Sequence, residues 1–401
     1  MTNRVFLANC FSAFAAAFGY GALAPVLPSV LEHVLGASAA GSAAWHAGAI
    51  GGAYMLAIVA SAPLWGALSD RVGGKPVIAL GLAGSAVAFI LSASVHGIGL
   101  AYVSRVLAGA FAAAVLPVTA ASIASVADEI DRARKFAGLG AATLLGYFIG
   151  PAATAWTAVK TIGGFDAWEA SQYISAAIAL AALAAVAATP ETRREPAPTA
   201  FWDREALRGM PVRMLLLSFV TSFGIGAFEV ALPLWGPRGA GLEPAGISLL
   251  FAECSAVMLA AQGTLFLRPN LLRAREILLF AFVAYGVGLA LLPQSGGALG
   301  AAAAVAMIAA GSGIVFPVIG YLATLEGQSA PGVTLGVLAG AGSLGQGVGS
   351  AAGGGGYALL GTQSFGLVAF VVGVGAVLGA RSCLPWPLRG SRDSCPPGHS
   401  K

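Results

Sequence analysis

The sequence predicts an all-α membrane protein in which twelve transmembrane helices form two six-helix bundles. Three observations lead there. The 401 residues are 58% hydrophobic and 9% charged, with a mean hydropathy of +0.84. Soluble domains carry roughly a quarter of their residues as charges, so water is not the main solvent of this surface. Apolar runs of about 20 residues, the length needed to cross a hydrocarbon core of about 30 Å, recur along the whole chain. The basic residues gather in alternate connections between those runs.

Spans are expected near 5–28, 46–68, 76–95, 98–120, 137–157, 170–188, 213–235, 246–267, 277–293, 299–323, 332–352 and 364–381. An even number places both chain ends on one side. Of the 21 Lys and Arg, only Lys160 and Arg238 fall on the opposite side and only Arg105 within a span. The crowded side is the cytoplasm by the positive-inside rule, so both termini are expected there, in a bacterial inner membrane. The net charge of +4 expresses this topology. The basic residues lack the aromatic interleaving of a nucleic-acid surface, and no nucleic-acid partner is expected.

Span 1 follows Arg4. Leu7-Ala8-Asn9-Cys10 is similar to a lipoprotein cleavage site, but the apolar stretch before Cys10 is too short for one, so a first membrane helix is expected. Cys10, Cys254, Cys383 and Cys395 show neither metal-ligand spacing nor a disulfide framework. The connection from span 2 to span 3 reads Gly66-Ala67-Leu68-Ser69-Asp70-Arg71-Val72-Gly73-Gly74-Lys75-Pro76. Here Gly66 permits close helix approach, Asp70 can accept hydrogen bonds from a helix N-terminus or an Arg, and Gly73-Gly74 allow a tight turn. Remaking such contacts would gate the cytoplasmic mouth. In span 4, Arg105 is a mid-membrane charge costing roughly 3 kcal/mol or more unless partnered or hydrated. It is expected either to take part in transport at a central cavity or to bond a carbonyl of span 1. Span 5 carries Gly146-Tyr147-Phe148-Ile149-Gly150-Pro151, small residues for close packing followed by a kink.

The longest internal polar stretch, Thr189 to Val212, reads as a cytosolic linker and divides the chain into a bundle over 1–188, a linker over 189–212, a bundle over 213–382 and a tail over 383–401. Six spans on either side invite a search for duplication. Phe18-Gly19-Tyr20-Gly21-Ala22-Leu23 with Leu27-Pro28 matches Phe223-Gly224-Ile225-Gly226-Ala227-Phe228 with Leu232-Pro233 at an offset of 205. Gly146, Gly150 and Pro151-Ala152-Ala153 match Gly345, Gly349 and Ser350-Ala351-Ala352 at an offset of 199, and Pro117 matches Pro317 at 200. Parallel repeats of this kind rock about a shared central site.

The second half carries two embedded acids. Glu229 in span 7 is the candidate for proton coupling or for binding a substrate cation; its alternative is a hydrogen-bonded structural acid near the outer leaflet. Glu253 in span 8 reads as structural or as lying near a mouth of the pathway. A membrane carboxyl that changes access can alternate between protonated and ionised forms, which proton coupling requires. His33, His46 and His96 map to the outer face and read as solvated loop residues. Tyr20, Tyr54, Trp65, Tyr147, Tyr285 and Gln346 are candidates to line the path. Gly353 to Gly356 reads as a flexible outer hinge or turn, and Ser391 to Lys401 as a disordered tail.

The segment from Gly66 through Leu68, Asp70, Arg71 and Gly73 to Lys75 resembles the loop 2–3 signature of the major facilitator superfamily. It departs at Gly74, where that family usually places a basic residue. Tyr102 to Gly109 looks like the helix 4 motif of proton-coupled members, in which such an Arg is associated with proton transfer. Gly146, Gly150 and Pro151 are similar to the motif associated with antiporters, although Thr154-Ala155 stand where a glycine pair is familiar. Span 1 lacks the internal acid of several proton-coupled relatives, so coupling must use other groups. The resemblance implies the major facilitator fold and a secondary active transporter of the drug:proton antiporter type. Such a protein exports a small molecule by alternating access, with protons as coupling ion, as a lipid-embedded monomer without cofactors. The alternatives are a symporter or facilitator importing a small metabolite, and a non-transporting sensor or scaffold. No nucleotide loop, metal cluster or nucleophile with a plausible base points to an enzyme.

Overall fold

The computed structural model describes residues 2–36, 40–124, 126, 128–159, 166–190, 212–267, 274–326 and 331–381. The helices are α1 (Asn3–Leu23), α2 (Ala40–Val72), α3 (Gly74–Ala93), α4 (Ile98–Ala124), α5 (Glu129–Val159) and α6 (Ala167–Ala187), then α7 (Val212–Gly239), α8 (Pro244–Leu267), α9 (Ala274–Leu291), α10 (Ala298–Glu326), α11 (Pro331–Leu360) and α12 (Ser364–Arg381). In lipid, each backbone amide must find its partner within its own segment, which selects helices. Eleven stretches among the described residues are long and apolar enough to cross a membrane, one of which, Thr334–Leu378, joins α11 and α12. The chain is a multi-pass membrane protein.

Three expectations need correction. α1 does not stop near residue 28 but continues through a 3-10 turn, Ala24–Val26, into Leu27–Leu35, so Glu32 and His33 are helical. Pro25 and Pro28 each sit at the start of a helical piece, where a missing N–H costs nothing. Gly353 to Gly356 form no hinge or turn but the continuous end of α11. A Cβ at Gly353 would lie 2.6 Å from the Ala227 carbonyl oxygen, and one at Gly354 2.4 Å from that of Ala44. These glycines serve close helix packing rather than bending. Gly66, finally, faces open space and brings no helix closer. The linker, apart from its first two residues and its last, and the whole 383–401 tail lie outside the described residues.

The duplicated motifs make duplicated contacts. In the first half, a Cβ at Gly146 would meet the Phe14 carbonyl oxygen at 2.5 Å and one at Gly150 that of Phe18 at 2.5 Å. In the second half, Gly345 meets the Phe219 oxygen at 2.2 Å and Gly349 that of Phe223 at 2.0 Å. The α1–α5 and α7–α11 pairs are therefore one packing solution used twice. Even the departures correspond: Gly353 rests on the Ala227 carbonyl, whereas Thr154 donates a 2.7 Å hydrogen bond to the Ala22 carbonyl.

One large apolar cluster is built from α7 to α12, and others, around Leu82 with Val115 and around Tyr20 with Phe89, come wholly from α1 to α6. A further cluster joins the halves through Leu31, Ala44, Ile50 and Leu234, all at the end of the molecule remote from Asn3 and Arg381. There α2 and α11 touch backbone to backbone: a Cβ at Gly48 would lie 2.7 Å from the Ser350 oxygen, and one at Gly52 3.0 Å from that of Gly347. Nearer the chain ends, Gly66 on α2, Gly263 on α8 and Gly340 on α11 meet open space. The halves are joined at the far end, and their contacts reach down to the level of Tyr147, whose carbonyl accepts a 3.1 Å hydrogen bond from Ser255 of α8.

Candidate functional site

Between the two halves, six helices present polar side chains to one another. Tyr20 of α1 donates a 2.6 Å hydrogen bond to Oε2 of Glu229 on α7, and Gln346 of α11 donates to the same oxygen at 2.9 Å. The amide of Gln346 also lies 3.4 Å from the Tyr20 hydroxyl. Arg105 of α4 sets its guanidinium carbon 4.6 Å from the centre of the Tyr54 ring and 5.4 Å from that of Tyr20. These are cation–π distances. The two rings stand 4.9 Å apart, and Tyr147 of α5 meets Tyr20 edge-on at 5.8 Å.

Close backbone packing sets each of these positions. Gly109, one turn after Arg105, lies against the Tyr54 carbonyl, where a Cβ would come within 2.3 Å. Gly226, almost one turn before Glu229, lies against the Gln346 carbonyl at 2.1 Å on the same measure. The glycines bring the helices close enough for short polar contacts, and the longer side chains meet between them.

Arg105 is 3% exposed and its Nε has no hydrogen-bond partner among the described residues. The bond to a span 1 carbonyl, one of its two expected roles, is not formed; the guanidinium reaches span 1 through the Tyr20 ring instead. Arg105, Tyr20 and Glu229 border a recess that runs toward the far end, with Leu27, Gly51 and Ser350 on its other walls. Glu229 lies in the middle of the polar cluster, inside the span rather than near its outer end. Two opposed influences act on it. Burial penalises its charge, while the Tyr20 and Gln346 donors and the nearby guanidinium support it.

The other predicted residues lie elsewhere. Glu253 on α8 is half-buried and hydrogen-bonds to none of the described residues. Tyr285 does not line the path: it is fully buried within the second half and donates to the Thr221 carbonyl at 3.0 Å. Trp65 is tied to the Ala110 carbonyl at 2.7 Å. His46 is not a loop residue, since it sits on α2 with Nδ1 3.0 Å from the Tyr102 hydroxyl. In the loop motif, Gly73 makes the turn with φ at +91°, and Lys75 donates to the Ala187 and Thr189 carbonyls at the end of α6. Leu68 packs on the apolar cluster of its own half, while Asp70 and Arg71 are exposed and Asp70 hydrogen-bonds to none of the described residues. Gly146, Gly150 and Pro151 all pack on α1.

Sequence reasoning did not see that Gln346 contacts Glu229. The repeat holds the signal: at the offset of 199, Gln346 is the counterpart of Tyr147, so both halves place a polar side chain just after the first glycine of the pair.

A profile described as the Major Facilitator Superfamily matches residues 10–350. The chain belongs to the Major Facilitator Superfamily. Among relatives in this superfamily, the chain is 27% identical over 279 residues to multidrug resistance protein 2 of Bacillus subtilis, covering 65% of each chain. It is 38% identical over 136 residues to the class G tetracycline resistance protein of Vibrio anguillarum, covering 34% of each. The aligned stretches thus span from a third to just under two thirds of these relatives. The D-xylose-proton symporter structure superposes with a TM-score of 0.77 at 14% identity, over 94% of this chain and 96% of that one. That of the human organic anion transporter MFSD10 superposes at 0.71 with 19% identity, over 94% and 100%. At these identities the likeness concerns the superfamily fold.

Proposed function

We propose that the chain is a secondary active transporter that expels a small molecule in exchange for protons, with Glu229 as the group for which proton and substrate compete. The observation that carries this is the pair of hydrogen bonds meeting on Glu229 Oε2, one of them from the opposite half of the molecule. The kinship with multidrug and tetracycline resistance proteins supports export and a small organic substrate. The site is assembled from one chain, which fits a monomer. The gathering of basic residues on one side supports a cytoplasmic location for both termini in a bacterial inner membrane, with bundles over 1–188 and 213–382 and the linker and tail between and after them.

On this topology the described state faces the cytoplasm. An ionised Glu229 holds the charge-assisted bond from Tyr20 and so fastens α1 to α7, a contact of about 1.5–3 kcal/mol. A proton on Glu229 removes the charge, and with it the strength of that bond and the attraction of Arg105. The halves are then freer to exchange closure at the far end for closure at the chain ends. Asp70, exposed on this side and hydrogen-bonded to none of the described residues, is available to fasten the cytoplasmic mouth once the halves meet there.

Inside-out vesicles from a host lacking its own exporters, acidified within and loaded with a pH-sensitive dye, test this with tetracycline and ethidium as probes. Export appears as probe-dependent alkalinisation of the lumen, and Glu229→Gln is expected to abolish it while the protein remains in the membrane in normal amount. Movement of a probe along with protons would favour an importing symporter. Absence of any flux, together with a tight cytosolic partner, would favour a scaffold.

A further inference from the structure

Gln172 on α6 is completely buried, yet neither its amide nitrogen nor its amide oxygen has a hydrogen-bond partner among the described residues. Ser92 Oγ on α3 and Nε of Arg105 on α4 share that condition, and both residues are 3% exposed. Buried polar groups are rarely left unpaired, and where protein does not satisfy them ordered water does.

Helix register puts these three residues in one layer. On α3 and α6, Ile78 and Leu82 share an apolar cluster with Ala182 and Val186. One turn on, Ala86 and Phe89 share a cluster with Ala176 and Ala179. As α3 rises, its partners on α6 fall back by the same number of residues, so the next turn brings Ser92 to the height of Gln172. On α3 and α4, Gly84 meets the Phe111 ring, and Ala88 joins the cluster of Ala108. The same progression brings Ser92 level with Arg105. Phe89 lies against Gly19, next to Tyr20, and closes the layer on the α1 side.

We propose that α3, α4 and α6 hold ordered water at this depth, hydrogen-bonded to Ser92, Gln172 and Nε of Arg105, and that Gln172 is thereby a positioning residue for the guanidinium. Polar lining and several partners are what a buried water requires. The water braces Arg105 from behind while the Tyr20 and Tyr54 rings hold its face, and Glu229 is the acid whose field it completes. No other residue of α3 or α6 named in this layer carries charge. The inference concerns the site of the proposed proton exchange, but its first test needs no transport.

In purified protein, thermal midpoints of wild type, Gln172→Leu, Arg105→Leu and the double variant form a cycle. If water joins the two residues, Gln172→Leu lowers the midpoint, and most of that loss disappears when Arg105 is already Leu. If the amide is merely unsatisfied, Leu raises the midpoint or leaves it unchanged, by the same amount in both backgrounds, and the proposal fails. The positioning role is read from the pH profile of probe-dependent proton movement. Gln172→Leu is expected to change the rate by about threefold at the acidic or alkaline limb, the scale of coupling within contact networks, with Gln172→Asn restoring part of it. A normal cycle with an unmoved profile would leave Gln172 structural and overturn that part. If no probe moves protons in wild type, the exchange reading falls while the stability cycle still judges the water.

Discussion

Tyr20 contributes to the site twice, once through its hydroxyl on Glu229 and once through its ring under Arg105. Tyr20→Phe separates the two roles, keeping the ring and removing the donor. Without that donor the ionised carboxylate loses support, so proton uptake requires less acid. The alkaline limb of the transport profile should move upward by about one to two pH units, the equivalent of a charge-assisted hydrogen bond. An unmoved limb would mean that the short Tyr20 contact does not bear on proton binding. Tyr20→Ala should do more, since Arg105 also loses one of its two aromatic faces. Sequence alone placed Arg105 and Glu229 within spans, because a charge stands out among apolar residues. The tyrosines and Gln346 were legible only as candidates: a neutral polar residue in a helix gives no sign of whether it faces lipid, a neighbour or a cavity.

The α2–α11 contact is where element-scale packing controls the state of the protein. A Cβ on Gly354 would lie 2.4 Å from the Ala44 carbonyl oxygen, and that neighbour is backbone, which cannot swing aside. Gly354→Leu should therefore wedge the far end apart and shift the population toward the oppositely open state. Spin labels at exposed far-end positions of α2 and α11 would report a longer separation. Gly66→Ala is the contrasting substitution, since nothing lies within 4 Å, and should leave the distances unchanged. Helix number and span centres were readable because lipid imposes a minimum apolar length. Helix ends were less so: α5 begins at Glu129 and α11 runs to Leu360, both well beyond the apolar windows, because helices protrude past the hydrocarbon and glycine reads as a breaker in isolation. The Gly353 run was misread for that reason, its use being set by a partner helix distant in sequence.

Across the whole molecule, duplication and polarity give the same account. Two copies of one helix packing meet at a layer of polar residues, and only one half supplies an acid to it while the other supplies the arginine and three tyrosines. The offsets of 205 and 199 were visible in the sequence, and the structure turns them into equivalent contacts of Gly146 with Phe14 and Gly345 with Phe219. Asymmetry between the copies, such as Tyr147 against Gln346, is where function entered a repeated scaffold. The central claim is that substrate and proton compete for Glu229. Adding tetracycline or ethidium to purified protein in weakly buffered detergent solution tests it without any membrane gradient. The account predicts proton release on binding by the wild type and none by Glu229→Gln; binding with no proton release, and equal affinity from acid to alkaline pH, would contradict it.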